Sequence, residues 1–148
     1  MLQVVCGGVI AKKRYPVPVI WTFRHYVDAN GVSDVRATYD RGRDKLKPRF
    51  LSRLRTLANL PFDDWHETYW KPLKGEGSGL EELRFKANNV EQRPLGFRSG
   101  DTEFTILFWA TEKGGKFVPL SACTKALERK AEVLADRNRT DDLWLILE

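Results

Sequence analysis

The spacing of apolar positions changes period several times along this chain. From Val17 to Val27 the run VPVIWTFRHYV is dense in β-branched and aromatic residues, which suit a pleated, half-buried surface, and it predicts a strand. Ala29-Asn30-Gly31 marks a turn. Val32 to Lys47 then predicts a helix, with Ser33 or Asp34 as its cap. Pro48 has no N–H to donate and is tolerated only in a first turn, so it breaks or restarts that helix. A second helix is predicted from Arg49 to Asn59, where Phe50, Leu51, Leu54, Leu57 and Ala58 recur at helical spacing.

Leu60 to Gly79 reads as a connection, with Pro61, Pro72 and three glycines, and its aromatics Phe62, Trp65, Tyr69 and Trp70 predict that it packs down on the body. Strands are predicted at Leu80–Lys86, Arg93–Arg98 and Thr102–Thr111, the last two joined by a hairpin turn at Ser99-Gly100-Asp101. Gly114-Gly115 is a further turn before a fourth strand at Lys116–Leu120, and Thr124–Arg137 predicts a last helix with Leu127, Ala131 and Leu134 on its buried stripe. Strand, two helices, antiparallel meander, helix is an α+β order. It predicts an N-terminal strand and two helices packed on an antiparallel sheet of about four strands, followed by a C-terminal helix, with helices on one face and the other face available to solvent. The organisation is an N-terminal extension at 1–16, one domain at 17–140 and an apolar tail at 141–148, whose Leu143, Trp144, Leu145, Ile146 and Leu147 dock on the body or on a partner.

Composition narrows the class. The 148 residues suit a single domain, and a 42% hydrophobic, 30% charged chain reads as globular rather than disordered. Cys6 and Cys123 lie far apart and form no CxxC or Cys/His ligand spacing, so they read as free thiols and not as a structural zinc site. The run VVCGGVIA is too short to span a bilayer, and Lys12, Lys13 and Arg14 follow it where a secretory leader would have them first. The expectation is a soluble, cytoplasmic protein with no membrane partner. No G-x-x-x-x-G-K-[ST], H-E-x-x-H or G-x-S-x-G motif is present, and no cofactor or metal is implied. His25, inside a strand-like run, reads as structural; His66, among Asp63, Asp64 and Glu67, matches no metal pattern and reads as loop packing.

Charge brings in chemistry. The net charge is +5, yet Arg36 to Arg55 alone carries eight basic residues against Asp40 and Asp44. Arg41, Arg43, Lys45, Arg49 and Arg53 lie within this run, which is either a solvated helical surface or an electrostatic footprint for nucleic acid or an acidic partner segment. A second basic set is dispersed: Lys71, Lys74, Arg84, Arg93, Arg98 and Lys125. In WKPLKGEGSGLEELRF, residues 70–85, the two-residue period of a strand puts Glu82 and Arg84 on one face just behind Lys71 and Lys74. That is either a solvated sheet edge or one wall of an anion site. If the strands carrying Arg84 and Arg93 pair, their guanidinium groups converge, a geometry that suits phosphate. RNA is cut without a metal when its own 2′-OH attacks the adjacent phosphate; preorganised cations stabilise the developing charge by on the order of 3 kcal/mol per donor. Glu82 is then a candidate general base, or simply a cross-strand ion-pair partner.

In order along the chain stand Lys71-Pro-Leu-Lys74, Gly79-Leu-Glu-Glu-Leu-Arg84, Arg93, Ile106-Leu-Phe-Trp109 and Lys125. This order resembles the RelE/HigB-type toxins of bacterial type II toxin–antitoxin systems, especially their phage-derived branch, over about residues 18–139; GLEELR is its most specific piece. The resemblance implies a compact RelE-like α+β fold. It implies a toxin that enters the ribosomal decoding site and cleaves messenger RNA there, held in check by an antitoxin often carrying a helix-turn-helix. By motif, Arg84 and Arg93 would contact the scissile phosphate, Lys125 would match the basic residue before the last helix, and Lys71 and Lys74 would hold RNA backbone; Arg98 is a further candidate RNA contact, and Glu82, the candidate base, stands with Glu81 where the family has lysines. The partners implied are an antitoxin, the ribosome and messenger RNA, in a homodimer or a toxin–antitoxin hetero-oligomer. Against that pattern, LSACTKALERKAEVL has one lysine where the family has a pair, and the strand of Arg93 reads RPLGF. A non-catalytic relative (a gyrase-blocking protein or a prophage remnant) and a basic nucleic-acid- or protein-binding module therefore stand as alternatives.

Overall fold

Residues 18–147 are described by the computed structural model, together with two short strands, β1 (Val4–Val5) and β2 (Gly8–Val9), that pair antiparallel. The remainder of the N-terminal extension, Cys6 included, lies outside the described residues. The strand predicted at 17–27 shortens to β3 (Thr22–Tyr26), because the amides of Ile20 and Trp21 turn to the carbonyl of Ala58, at 2.7 and 3.3 Å. Ser33 caps α1 (Asp34–Asp40), its Oγ accepting from the amide of Arg36.

The predicted helix to Lys47 stops early. A Cβ at Gly42 would sit 2.0 Å from Leu46 Cδ2 and 2.9 Å from the carbonyl of Tyr39, so only glycine lets the chain fold back there. Asp44 adopts a left-handed φ of 48°, and α2 (Leu46–Ala58) restarts with Pro48 in its first turn. After α2 come β4 (Trp70–Pro72), β5 (Glu81–Leu83), β6 (Phe85–Ala87), β7 (Val90–Gly100), β8 (Glu103–Lys113), β9 (Lys116–Val118), α3 (Ala122–Ala135) and β10 (Thr140–Asp142).

The main sheet is mostly antiparallel and open. It has eight strands, in the order β10-β3-β8-β7-β5-β4, with β6 also on β7 and β9 also on β8; only the β3–β8 pair is parallel. The count exceeds the expected four because one predicted strand divides into β5 and β6, because the N-terminal strand β3 joins the sheet beside β8, and because β4 and β10 are three-residue additions at the margins.

Helices cover both faces, where one covered face was expected. Val35 of α1 and Leu46, Phe50, Leu54, Leu57 and Ala58 of α2 pack with Phe23, Leu83, Phe85, Phe104, Ile106 and Trp109 on one face. Ala122, Cys123, Ala126 and Val133 of α3 pack with Tyr26, Leu95, Phe97, Leu107 and Ala110 on the other. A register shift opposite Leu95 and Gly96 explains how β8 serves both cores. Leu95 pairs with Phe108 and Gly96 with Ile106, so Leu107 is the extra residue of a bulge. Leu107 and Phe108 thereby turn to α3 while Ile106 and Trp109 turn to α2. The tail is docked on the body: the amide of Leu143 donates to the carbonyl of Phe23 at 3.0 Å, and Leu143, Trp144, Leu145 and Leu147 pack against the α2-side core. Among the described residues no helix is long and apolar enough to cross a membrane.

Candidate functional site

Pro94 shapes the site. Glu82 pairs with Leu95 and Phe85 with Gln92, and the same register sets Leu83 opposite Pro94 and Arg84 opposite Arg93. Proline has no N–H for the ladder, so pairing lapses there and divides β5 from β6. Arg84 sits in the gap, and its amide donates instead to the carbonyl of Tyr69 at 2.8 Å.

Two arginines directly opposed would repel. Carboxylates around Arg93 remove the conflict. Its Nη2 lies 3.1 Å from Glu112 and 3.3 Å from Glu91, its Nε lies 3.1 Å from Glu82 Oε2, and its Nη1 donates to the carbonyl of Gln92 at 2.9 Å. The Nε–Oε2 pair is close but misaligned, so the two atoms gain attraction without a formed hydrogen bond. Arg93 is only 4% exposed and Glu82 5%. Burial pushes the Glu82 carboxyl above its usual value; Arg93, Arg84 and Lys71 pull it back down, and Glu112 adds to the push.

Arg84 is the contrasting case. It is half-buried, its Nη1 donates to the carbonyl of Glu67 at 2.9 Å, and among the described residues no carboxylate lies within ion-pair distance of it. It opens into a cleft of about 450 Å³ bounded by His66, Glu67 and Thr68 from the loop before β4, Phe85 from β6, and Glu91 and Arg93 from β7. A second hollow, of about 270 Å³, is bounded by Arg49, Ser52 and Arg53 of α2 and by Phe85 and Lys86. Phe85 is common to both. Arg53 holds its guanidinium 4.4 Å from the Tyr69 ring centroid, and burial lowers its pKa. Arg49 donates to the carbonyl of Lys86 at 3.3 Å.

The fold brings together Arg84, Arg93 and Glu82, with Lys71 alongside as the cross-strand partner of Glu82. Other candidates from the sequence lie elsewhere. Lys74 borders a separate hollow with Leu73, Phe117 and Cys123, whose thiol is pushed up by burial, with Glu76 and Glu82 adding to the effect. Arg98 stacks 4.2 Å over the ring of Phe62. Lys125 is exposed on α3 with its Nζ 5.6 Å over Phe108, and it does not line the cleft. Arg41, Arg43 and Lys45 are exposed in the α1–α2 connection, which Asn88 ties to the β6–β7 turn through the carbonyl of Arg43 at 2.9 Å.

His66 is the residue that sequence reasoning placed as packing and that the fold places in the cleft. The missing signal was β4: three residues give no periodicity, yet pairing Trp70 with Leu83 is what carries residues 66–69 back beside Arg84. No group of three or more His, Cys, Asp or Glu side chains among the described residues is arranged to hold a metal ion. Comparison with protein-family models, with curated proteins and with solved structures returned no match.

Proposed function

We propose that this chain is a RelE/HigB-type toxin whose working surface is the Arg84 cleft and the basic strip of α2 and β6 beside it, and that it binds RNA there and cuts it by attack of the 2′-OH on the adjacent phosphate. The element order supports this reading, as does the position of the GLEELR arginine. The observation that carries it is the state of Arg84: a half-buried guanidinium without a carboxylate partner among the described residues, in a cleft that shares Phe85 with the hollow of Arg49, Arg53 and Lys86. A planar fork with free donors suits a phosphate diester, and clustered cations favour a polyanion. Glu82, its carboxyl raised by burial, is paired with Arg93 and does not itself line the cleft, so it acts on the site through the two arginines. Antitoxin, ribosome and cytoplasm follow from the same reading.

The enclosure of Arg93 favours a second reading. One of the two arginines assigned to the scissile phosphate is committed to Glu82, Glu91 and Glu112. That suits a non-cutting relative that binds on the same fold, such as a gyrase-blocking protein. Induced expression in a bacterial host separates the two. Under the first reading translation stops, message ends map to ribosome-bound cuts, and Arg84→Ala abolishes both. Intact messages accompanied by DNA damage select the second, and a host unaffected by the wild-type chain rejects both.

A further inference from the structure

We infer that His66 contacts the substrate in this cleft, as the hydrogen-bond donor that meets the same phosphate oxygens as Arg84; the inference rests on the reading of the cleft as a phosphate site. His66 lines the cleft with Arg84 and Thr68. Its Nδ1 faces two donors at once, the Thr68 amide at 3.1 Å and the Thr68 hydroxyl at 3.0 Å. A backbone N–H can only donate, so Nδ1 is the acceptor and the ring proton resides on Nε2. Nε2 has no partner among the described residues, and the ring is exposed. The two-residue Thr68 clasp, with the Tyr69 ring 6.2 Å away in an edge-on arrangement, holds the imidazole in one orientation.

The arrangement supplies a fixed neutral donor beside a fixed cationic one. Arg84 is anchored by its own bond to the Glu67 carbonyl, one residue from His66, so both groups are positioned by the same short loop. Glu67 and Glu91 also border the cleft, and Glu91 is committed to Arg93. An oxyanion entering beside Arg84 meets a guanidinium and an imidazole N–H, and a phosphate diester has two non-bridging oxygens to accept from them. With Nδ1 engaged as acceptor, His66 binds and orients; proton transfer falls to other groups.

The test is binding of a short fluorescent single-stranded RNA, blocked at 2′ by O-methyl groups so that it cannot be cut, read by anisotropy. Arg84→Ala removes binding, His66→Ala weakens it about tenfold, a factor that one hydrogen bond to a charged group supports, and His66→Gln, which retains an N–H donor, restores most of it. In nitrogen-detected spectra the His66 Nε2–H signal moves when this RNA is added. Binding that needs Arg84 and ignores His66 overturns the inference and leaves the cleft reading standing. Binding equally poor in both His66 variants, with a lowered melting temperature, returns His66 to a packing role. A wild-type chain that does not bind the RNA removes the cleft reading and the inference with it.

Discussion

Arg93 Nε and Glu82 Oε2 lie 3.1 Å apart on neighbouring strands, each side chain almost wholly withdrawn from water. Neither charge is tolerable there without the other, because the interior does not solvate an isolated ion. Arg93→Ala leaves three carboxylates facing one another and is expected to cost about 3–5 kcal/mol, the range for breaking a buried pair. Arg84→Ala loses one bond to a backbone carbonyl at a half-exposed site and is expected to cost about 1 kcal/mol. Urea unfolding of the two variants checks the contrast; equal losses would show that enclosure among carboxylates does not make Arg93 the costlier side chain to remove.

Glu82 gives the same cluster a pH signature. Burial raises its carboxyl above the ordinary 4.5, so between that value and the raised one the folded chain holds a proton that the unfolded chain has released. The folded state is then the one that binds more protons, and stability falls as pH rises through this window. Comparing wild type with Glu82→Gln isolates the effect: the slope is present in the first and absent from the second. Glu103, held low chiefly by its hydrogen bond to Arg137, contributes in the opposite sense and is common to both chains.

Long, strongly patterned segments were legible in the sequence, and short ones were not. The paired eleven-residue strands β7 and β8, the helices α2 and α3 and the docked tail all lie in runs whose periodicity or apolar content stands alone, but the stripe expected of α3 does not hold: Ala126 and Val133 are buried, while Ala131 and Leu134 are exposed. In ILFWA there is no polar residue to mark a face, so nothing in the sequence marks Leu107 as a bulge that sends neighbours to different cores. RPLGF does show that a ladder donor is missing, and the break between β5 and β6 is its consequence. The facing of Arg84 and Arg93 was legible as a condition on strand pairing. The full neutralisation of Arg93 was not: Glu91 shares its face two residues back along β7, but Glu112 reaches it only through the register of β7 against β8.

Gly96 tests the bulge directly. A Cβ there would lie 2.2 Å from the carbonyl oxygen of Thr105 and 2.6 Å from Phe104 Cε1, contacts that a backbone oxygen cannot relieve by rotating. Gly96→Ala is therefore expected to cost about 3 kcal/mol or more, the upper range for overpacking. It acts on both cores at once, since Phe104 belongs to one and Phe97 to the other. Thermal unfolding checks it, with Gly115→Ala as the comparison: that glycine has an open surrounding and only its φ of 76° to strain.

The tail and His25 should titrate together. The Ser33 hydroxyl oxygen accepts from the amide of Arg36 and lies 2.7 Å from His25 Nδ1, which ties the ring to the start of α1. Trp144 of the tail closes over the imidazole edge-on, 4.8 Å between centroids. Burial lowers the pKa of His25; Arg36 and Arg24 push the same way, while Asp141 and the backbone of Asp142 push back. Between the lowered value and the ordinary 6.5, the unfolded chain binds the proton and the folded chain does not. Stability is then complete above 6.5 and declines as pH falls through that interval. Trp144→Ala opens the lid over the ring, so its His25 titration is expected to move up toward the ordinary value. The imidazole proton resonances, followed through a pH series, read this directly, and a titration unchanged in Trp144→Ala would mean that β3 and α1 bury His25 without help from the tail.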